Sequence, residues 1–118
     1  MYNLEDLLIY KQYLELIYYT ESILVKYPKI EKNNICVQIK NNTYDGMKLI
    51  IRAQKSRDTK SRIRVLSELD VSLKMLKVLI RVSKKRKYIN IKNYAAWSKK
   101  IMNICNLLGG WINSCLKQ

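Results

Sequence analysis

The chain has 118 residues, and 48% of them are hydrophobic, which is enough to bury the core of one domain. Only three Gly and one Pro interrupt it, which disfavours a fold built from many short strands. The 23 Lys and Arg residues outnumber the 9 Asp and Glu residues, giving a net charge of +14, and there is no His to serve as a general base or a metal ligand.

The first helix is predicted over residues 4–26, with Asn3 as its N-cap and Glu5 and Asp6 in its first turn. It ends at Tyr27-Pro28, because proline disfavours helical backbone in the residue before it. Two neighbouring apolar lines follow the helix at helical spacing. The first line is Leu7, Tyr10, Leu14, Ile17 and Leu24, and the second is Ile9, Tyr13, Leu16 and Ile23.

The second helix is predicted from Pro28, which suits the first helical position, to Lys55. Gly46 lies seven residues after Ile39, so we expect it to admit the close approach of a neighbouring helix. The core side of this helix consists of Ile35, Ile39, Met47, Ile50 and Ile51. A solvent-facing stripe, at spacings of four and three residues, consists of Lys48, Arg52 and Lys55.

The third helix is predicted over residues 60–85, after a turn at residues 56–59 in which Asp58 or Thr59 caps the helix. One side of it is a regular apolar seam, at spacings of three and four residues: Leu66, Leu69, Leu73, Leu76 and Ile80. The opposite set is a mostly basic stripe over about four turns: Asp70, Lys74, Lys77, Arg81 and Lys84. The helix is therefore predicted to have a buried side and a solvated, cationic side.

The fourth helix is predicted over residues 90–115, after the densest charge cluster, Lys84-Lys85-Arg86-Lys87. One line runs along it at spacings of three and four residues: Ile91, Tyr94, Ser98, Ile101, Cys105, Leu108, Ile112 and Cys115. On an adjacent face Trp97, Ile104 and Trp111 repeat every seven residues.

The pair Gly109-Gly110 lowers the stability of a helix by about 2 kcal/mol relative to two Ala residues. The spacing alone leaves two interpretations, a glycine pair that allows close packing or a bend, and a helix that ends at Gly109.

These patterns predict one all-α domain over residues 1–118, an antiparallel four-helix bundle. The first, third and fourth helices carry more apolar surface than one seam requires. In the third helix the additional residues are Val71, Met75, Val78 and Val82. Such surface usually marks an interface, so we expect a homo-oligomer. The alternative is that long Lys side chains and loops cover these residues.

Cysteine usage and the N-terminus exclude several protein classes. Cys36, Cys105 and Cys115 are an odd number without CxxC spacing, so we expect buried free thiols in a reducing cytoplasm and no structural zinc. The N-terminus lacks the long apolar segment of a signal peptide, and no apolar run is long enough to span a membrane. We therefore expect a cytoplasmic protein without a membrane partner.

No catalytic arrangement is present in the sequence. Glu68 and Asp70 point to different faces of one helix. Gly109-Gly110 lacks the flanking strand and the Lys-Ser/Thr pair of a phosphate-binding loop. We therefore expect no enzyme activity and no cofactor or metal.

The distribution of charge indicates a polyanionic partner. Residues 1–27 carry a net charge of −2, so residues 28–118 carry +16, which attracts nucleic acid and releases its counterions. An acidic protein is the alternative partner. Tyr88, beside the basic loop, either stacks on an unpaired base or, as we favour, packs at the edge of the bundle. The candidate contacts, each otherwise a solvated surface charge, are Lys48, Arg52, Lys55, Arg57, Lys74, Lys77, Arg81, Lys84, Lys85 and Arg86.

Several segments over about residues 4–114 resemble one protein family. The most specific is the run Leu107-Leu108-Gly109-Gly110-Trp111-Ile112-Asn113-Ser114. Shorter matches are Tyr27-Pro28-Lys29, Ser56-Arg57-Asp58, Leu69-Asp70, Leu73-Lys74, Leu79-Ile80-Arg81 and Tyr94. In these the chain resembles the accessory variability determinant (Avd) proteins of diversity-generating retroelements. These belong to a wider class of four-helix bundle proteins that includes those encoded in 23S ribosomal RNA intervening sequences.

The resemblance implies a role and an assembly that the residue patterns do not reach. Avd-like proteins are homopentameric four-helix bundles forming a basic barrel, and they associate with the reverse transcriptase of the retroelement and bind RNA or DNA. They support the error-prone copying of template RNA that diversifies a target gene, without catalytic residues or a cofactor. The resemblance also favours Gly109-Gly110 as a packing feature of the fourth helix. The alternative is an interaction protein of the ribosomal intervening-sequence type, which docks an acidic protein or RNA and has no retroelement role.

Overall fold

Four helices make up most of the chain in the computed structural model, which describes residue 4 and residues 7–118. Helix α1 spans Leu8–Leu24, α2 spans Ile35–Lys55, α3 spans Thr59–Lys85 and α4 spans Ile91–Leu116. Both α1 and α3 pack against α2 and α4, so consecutive helices are neighbours around a shared core. Because short connections join them, neighbouring helices run antiparallel. The predicted all-α, antiparallel four-helix bundle is confirmed, and the described residues contain no strand.

Helix α1 is shorter than predicted at both ends. It begins at Leu8, and Leu7 before it provides no side-chain cap. The predicted cap at Asn3 and the acidic residues Glu5 and Asp6 lie outside the described residues. The predicted first turn therefore stays a prediction.

A lysine from the following segment closes the C-terminal end of α1. The ammonium group of Lys32 donates hydrogen bonds to the carbonyl oxygens of Leu24 and Val25, at 2.6 and 2.9 Å. These oxygens lie at the end of the helix, where carbonyl groups lack a partner within the helix. Lys32 also places positive charge at the negative end of the helix dipole.

The predicted start of the second helix is wrong. Helix α2 begins at Ile35, and Pro28 instead precedes a short 3₁₀ turn at Lys29–Glu31. Asn34 interrupts the helical path, since its backbone (φ −116°, ψ −104°) lies outside the helical region. Its side-chain amide donates to the carbonyl oxygen of Ile30 at 3.1 Å. Local side-chain bonding of this kind competes with helix formation and delays the start of α2.

Helices α3 and α4 begin close to their predicted positions, each behind a side-chain cap. Asp58 accepts a hydrogen bond from the backbone N–H of Ser61 at 3.1 Å, and Asn90 accepts one from the backbone N–H of Asn93 at 2.7 Å. The bonds from Ser61 hold the pKa of Asp58 below its usual value. Each cap satisfies an N–H group that has no partner within its helix.

The seam predicted on α3 lies in the core. All five of its residues are buried: Leu66, Leu69, Leu73, Leu76 and Ile80. Trp97 of α4 is 0% exposed, and its indole N–H donates to the hydroxyl oxygen of Thr20 at 3.1 Å. This bond compensates for removing the indole N–H from water.

The other helices bury only some of their predicted apolar residues. In α1 the whole second line is buried, whereas only Ile17 and Leu24 of the first line are. In α2 the predicted core residue Ile51 is exposed, and Met47 is half-buried. In α4 the first residue of the long line, Ile91, is 75% exposed. The positions of the neighbouring helices decide between apolar lines that look alike in the sequence.

Gly46 admits a side chain of α1 into the surface of α2, as predicted. The phenol hydroxyl of Tyr13 donates to the carbonyl oxygen of Thr43 at 2.6 Å. A Cβ atom at residue 46 would lie 1.9 Å from that phenol oxygen, so no residue with a side chain fits without displacing Tyr13. Burial raises the pKa of Tyr13 above its usual value, which keeps the phenol protonated and able to donate.

Helix α4 continues through Gly109-Gly110, so the interpretation that it ends at Gly109 is wrong. Both glycines are exposed. A Cβ atom at either position would have no other part of the chain within 4 Å. The packing role expected for the pair is therefore not met inside the described bundle.

Apolar side chains remain on the surface, as the sequence predicted. Val71, Met75 and Val78 of α3 are exposed, and Val82 is half-buried. Leu8, Tyr18 and Val25 of α1 and Met102 of α4 are also exposed. The alternative that Lys side chains and loops cover such residues is wrong for the seven exposed ones, and Val82 is partly covered. No helix in the described part of the chain has the length and apolar character needed to cross a bilayer.

The loop between α3 and α4 contains a strained lysine. Lys87 has a φ of 65°, in the left-handed region. Its N–H donates to the carbonyl oxygen of Lys84 at 3.0 Å, and the N–H of Tyr88 donates to that of Ser83 at 2.9 Å. This pair of bonds is the Schellman motif, in which glycine is favoured at the left-handed position. A lysine there retains a cationic side chain at a conformational cost of about 1 kcal/mol.

We predict that Gly46→Ala destabilises the protein by about 2 kcal/mol, because the new methyl group displaces the buried Tyr13 phenol from Thr43. Urea unfolding followed by circular dichroism measures the change. The control is Gly110→Ala, which should add about 1 kcal/mol of stability through helix propensity, since nothing else in the chain approaches residue 110. Equal effects of the two substitutions would contradict the close contact at Gly46.

We expect Lys87→Gly to increase stability by about 1 kcal/mol, because glycine adopts the left-handed conformation without steric cost. Lys87→Ala should have little effect, since alanine keeps the crowded Cβ atom. Thermal unfolding of both variants tests this difference. A glycine variant that melts below the wild-type protein would show that residue 87 is not strained.

Candidate nucleic-acid interface

The ten predicted contact residues are all exposed, but they do not form one surface. Arg57 precedes α3 and Arg86 follows it, so these two lie about 40 Å apart at 1.5 Å per helical residue. Three of the ten lie on α2: Lys48, Arg52 and Lys55. Six are close together, on the second half of α3 and just after it: Lys74, Lys77, Arg81, Lys84, Lys85 and Arg86.

The α3 stripe, defined as Lys74, Lys77, Arg81 and Lys84, runs alongside α4. The ammonium nitrogen of Lys84 lies 4.5 Å from the centre of the Tyr94 ring. Farther along, burial raises the pKa of the Cys105 thiol, and the charges of Lys77 and Lys74 act against that rise. The Lys84–Tyr94 contact at one end and the charge effect on Cys105 toward the other place the stripe on the side of α3 that adjoins α4.

Helix α2 packs on the other side of α3. The hydroxyl of Ser72 donates to the carbonyl oxygen of Asn42 in α2 at 3.5 Å. Ser72 and Lys74 are two residues apart on a helix, so they point in nearly opposite directions. The exposed cations of α2 are therefore separated from the α3 stripe, and the two groups do not form one continuous surface.

One member of the α3 stripe is partly neutralised. The ammonium group of Lys74 lies 2.7 Å from a carboxylate oxygen of Asp70, the one ion pair found in residues 7–118. The hydrogen bond to Asp70 raises the pKa of Lys74. Both side chains are exposed, so the pair adds little to stability. Lys77, Arg81 and Lys84 consequently supply the net positive charge of the stripe.

The end of the bundle next to the α3–α4 loop is more basic than the loop alone. The hydroxyl of Tyr88 donates to the carboxylate of Glu31, and the ring centres of Tyr88 and Tyr27 are 5.5 Å apart. These contacts join the loop to the connection between α1 and α2. They bring additional exposed cations to the same end, which the sequence did not single out: Lys26, Lys29 and Lys92. No pattern along the chain relates these residues, which are up to 66 positions apart.

The same contacts decide between the two interpretations of Tyr88. Its ring is half-buried against the core and its hydroxyl is bonded to Glu31. That bond raises the pKa of Tyr88. Packing at the bundle edge, the favoured interpretation, is confirmed.

A groove of about 760 Å³ lies between the second half of α3 and the first half of α4. Val78, Tyr94 and Met102 provide apolar surface in it, and Lys77 and Arg81 provide charge. No pattern along the chain connects Tyr94 or Met102 with the cationic stripe. The periodicity of one helix does not show which side chains a neighbouring helix brings beside it.

The described residues do not form a metal site. Among them no group of three or more His, Cys, Asp or Glu is placed to hold a metal ion. The cysteines are free, as expected, and burial raises the pKa of Cys36, which keeps this thiol protonated.

Comparison with known proteins identifies the family of this chain. A search of curated proteins finds no match to this sequence. The sequence profile of the bAvd-like family matches residues 7–115. This range includes the ten candidate residues, the Gly109-Gly110-Trp111 segment and all but the last residue of α4. The chain therefore belongs to the bAvd-like family, in agreement with the resemblance found in its sequence.

Proposed function

We propose that this chain is a non-catalytic accessory protein of a diversity-generating retroelement, acting in the cytoplasm. It binds nucleic acid and the retroelement's reverse transcriptase and supports the mutagenic copying of template RNA. Membership of the bAvd-like family supports the accessory role. The observation that carries nucleic-acid binding is the cationic surface of α3, where six exposed Lys and Arg residues lie within residues 74–86.

The electrostatics of this surface suit a phosphate backbone. The α3 stripe extends over about 15 Å, given the rise of an α-helix. One strand of a duplex presents about four phosphates over that length. Three cations in the stripe lack the carboxylate that partly neutralises Lys74. Contacts of this kind release counterions, so the affinity should fall steeply as salt is added.

We also propose that the protein assembles as a homopentamer. Support comes from four exposed apolar residues outside the groove between α3 and α4: Leu8 and Tyr18 of α1, and Val71 and Met75 of α3. Surfaces of this kind are usually covered at an interface. The number five follows from the resemblance to Avd proteins, and sedimentation velocity would measure it directly.

We predict that removing three charges from the α3 stripe weakens RNA binding and lowers its salt dependence. The variant is Lys77→Gln, Arg81→Gln and Lys84→Gln, which leaves the paired Lys74 unchanged. Loss of three phosphate contacts should reduce the slope of log K against log salt by about 2. Fluorescence anisotropy with a single-stranded RNA at several salt concentrations measures both quantities.

The matched control removes three exposed charges from α2 instead, as Lys48→Gln, Arg52→Gln and Lys55→Gln. The net charge is the same in the two variants, so a general electrostatic effect would weaken both equally. A selective loss in the α3 variant supports the α3 surface, and equal losses would refute it. If the wild-type protein binds no RNA at low salt, direct recognition by the isolated protein fails, and the same charges are better assigned to docking of a protein partner.

The genetic neighbourhood provides an independent check of the retroelement role. A reverse transcriptase gene nearby, with paired template and variable repeats, is expected under this proposal. A gene inside a ribosomal RNA intervening sequence would contradict it.

A further inference from the structure

We propose that the groove between α3 and α4 is the docking site for a helix of a protein partner, an amphipathic helix with carboxylates beside its apolar side. This inference rests on the proposed function, in which the protein partner is the reverse transcriptase. It adds the surface that receives the partner and the chemistry of the segment that docks.

The apolar part of the groove is open to solvent in the bundle. Val78 is 51% exposed and Met102 is 54% exposed, and the ring of Tyr94 is half-buried between the two helices. Burial of these side chains by a partner would be favourable, because it removes apolar surface from water. Methionine is flexible and polarizable, which suits a surface that adapts to another side chain.

The walls of the groove are cationic. Lys77 and Arg81 line it along α3, and Lys85 and Arg86 line its end. No Asp or Glu is among its lining residues in the described chain. A partner segment that filled the groove with apolar residues alone would leave these four cations without counter-charges. Charge complementarity therefore requires carboxylates on the partner segment.

The dimensions fit a short stretch of helix. The lining residues on α3 extend from Lys77 to Arg86, a rise of about 14 Å, or roughly two and a half helical turns. A helix that lies in such a groove presents apolar residues at positions i, i+3 or i+4, and i+7. An acidic residue next to these anchors would reach Lys77 or Arg81.

Nucleic acid does not account for the apolar floor. Interfaces with nucleic acid are polar and strongly charged, and unpaired bases stack on aromatic rings. Val78 and Met102 offer no aromatic face, and Tyr94 already has the Lys84 ammonium group 4.5 Å from its ring centre. The aliphatic floor instead matches the apolar side of a helix.

A second copy of the chain is a poor occupant as well. The outward face of α2 carries Lys48, Arg52 and Lys55, which would repel the walls of the groove. The outward face of α1 carries Lys11 and Glu15 between its exposed apolar residues, so its charges cancel. Neither face offers several carboxylates to the groove, which favours a different protein.

The groove and the α3 stripe share Lys77 and Arg81. RNA and the partner helix therefore compete for these two side chains on any one subunit. A homo-oligomer accommodates both ligands on different subunits.

The test uses the double variant Val78→Ser and Met102→Ser, with the reverse transcriptase of the same retroelement as the probe. We expect its affinity for the polymerase to fall at least tenfold, about the effect of removing two central contacts of an interface. RNA binding should remain within about twofold of wild type, because the cations are unchanged. The control is Val25→Ser and Val37→Ser, which removes exposed apolar residues from a separate groove between α1 and α2 and should leave both affinities unchanged.

The outcomes separate this inference from the proposed function. If the groove variant binds the polymerase as tightly as wild type does, the docking site is refuted and the accessory role stands. If the wild-type protein itself does not bind the polymerase, the partner in the proposed function is refuted, and the docking site with it.

A photo-crosslinking residue at position 102 tests the occupant without removing apolar surface. Mass spectrometry should identify a polymerase segment with apolar residues at helical spacing and adjacent carboxylates. The same crosslinker at position 25 should not yield this product. Crosslinking of position 102 to a second copy of the chain, or to RNA, would overturn the inference.

Discussion

Burial of the α3 seam is the constraint on which the surface of this protein depends. Once Leu69, Leu73 and Leu76 lie in the core, the helical repeat fixes the direction of every other residue of α3. In this bundle Lys74 and Lys77 then lie on the side of α3 that adjoins α4, and Val71 and Val78 are exposed. The core thus positions both the cationic stripe and the apolar groove beside it.

The combination of charge and exposed apolar surface distinguishes this face from a generally basic one. Cations alone bind any polyanion and depend steeply on salt. Apolar side chains add contacts that only a complementary shape can use. Lys77 and Arg81 line the same groove as Val78 and Met102, so one surface holds both kinds of contact. This arrangement suits a protein that handles nucleic acid together with a protein partner.

Two local features cost stability without compensation inside the chain. Lys87 occupies a left-handed backbone position that favours glycine. Gly109-Gly110 lowers the helix propensity of α4 by about 2 kcal/mol, and no other part of the chain approaches either residue. Gly46, in contrast, is explained by Tyr13, which occupies the space of its missing side chain. Both unexplained costs lie on the surface of the bundle.

The sequence by itself determined the number and type of helices, the α3 seam, a cap of the third helix at Asp58 or Thr59, and the exposure of the basic residues. These properties depend on helical periodicity and on local hydrogen bonding, which neighbouring residues along the chain decide. The delayed start of α2 was missed because the Asn34 side chain competes with the helix through a contact that composition does not reveal.

Only the tertiary structure decided which apolar lines are buried and which cations share a surface. It separated Lys48 and Arg52 from the α3 stripe, placed Tyr94 beside Lys84, and joined the two loops at one end through Tyr88 and Glu31. Each of these relations links residues on different helices. Periodicity describes the faces of one helix, whereas the angle and rotation at which two helices pack are set by all the side chains between them.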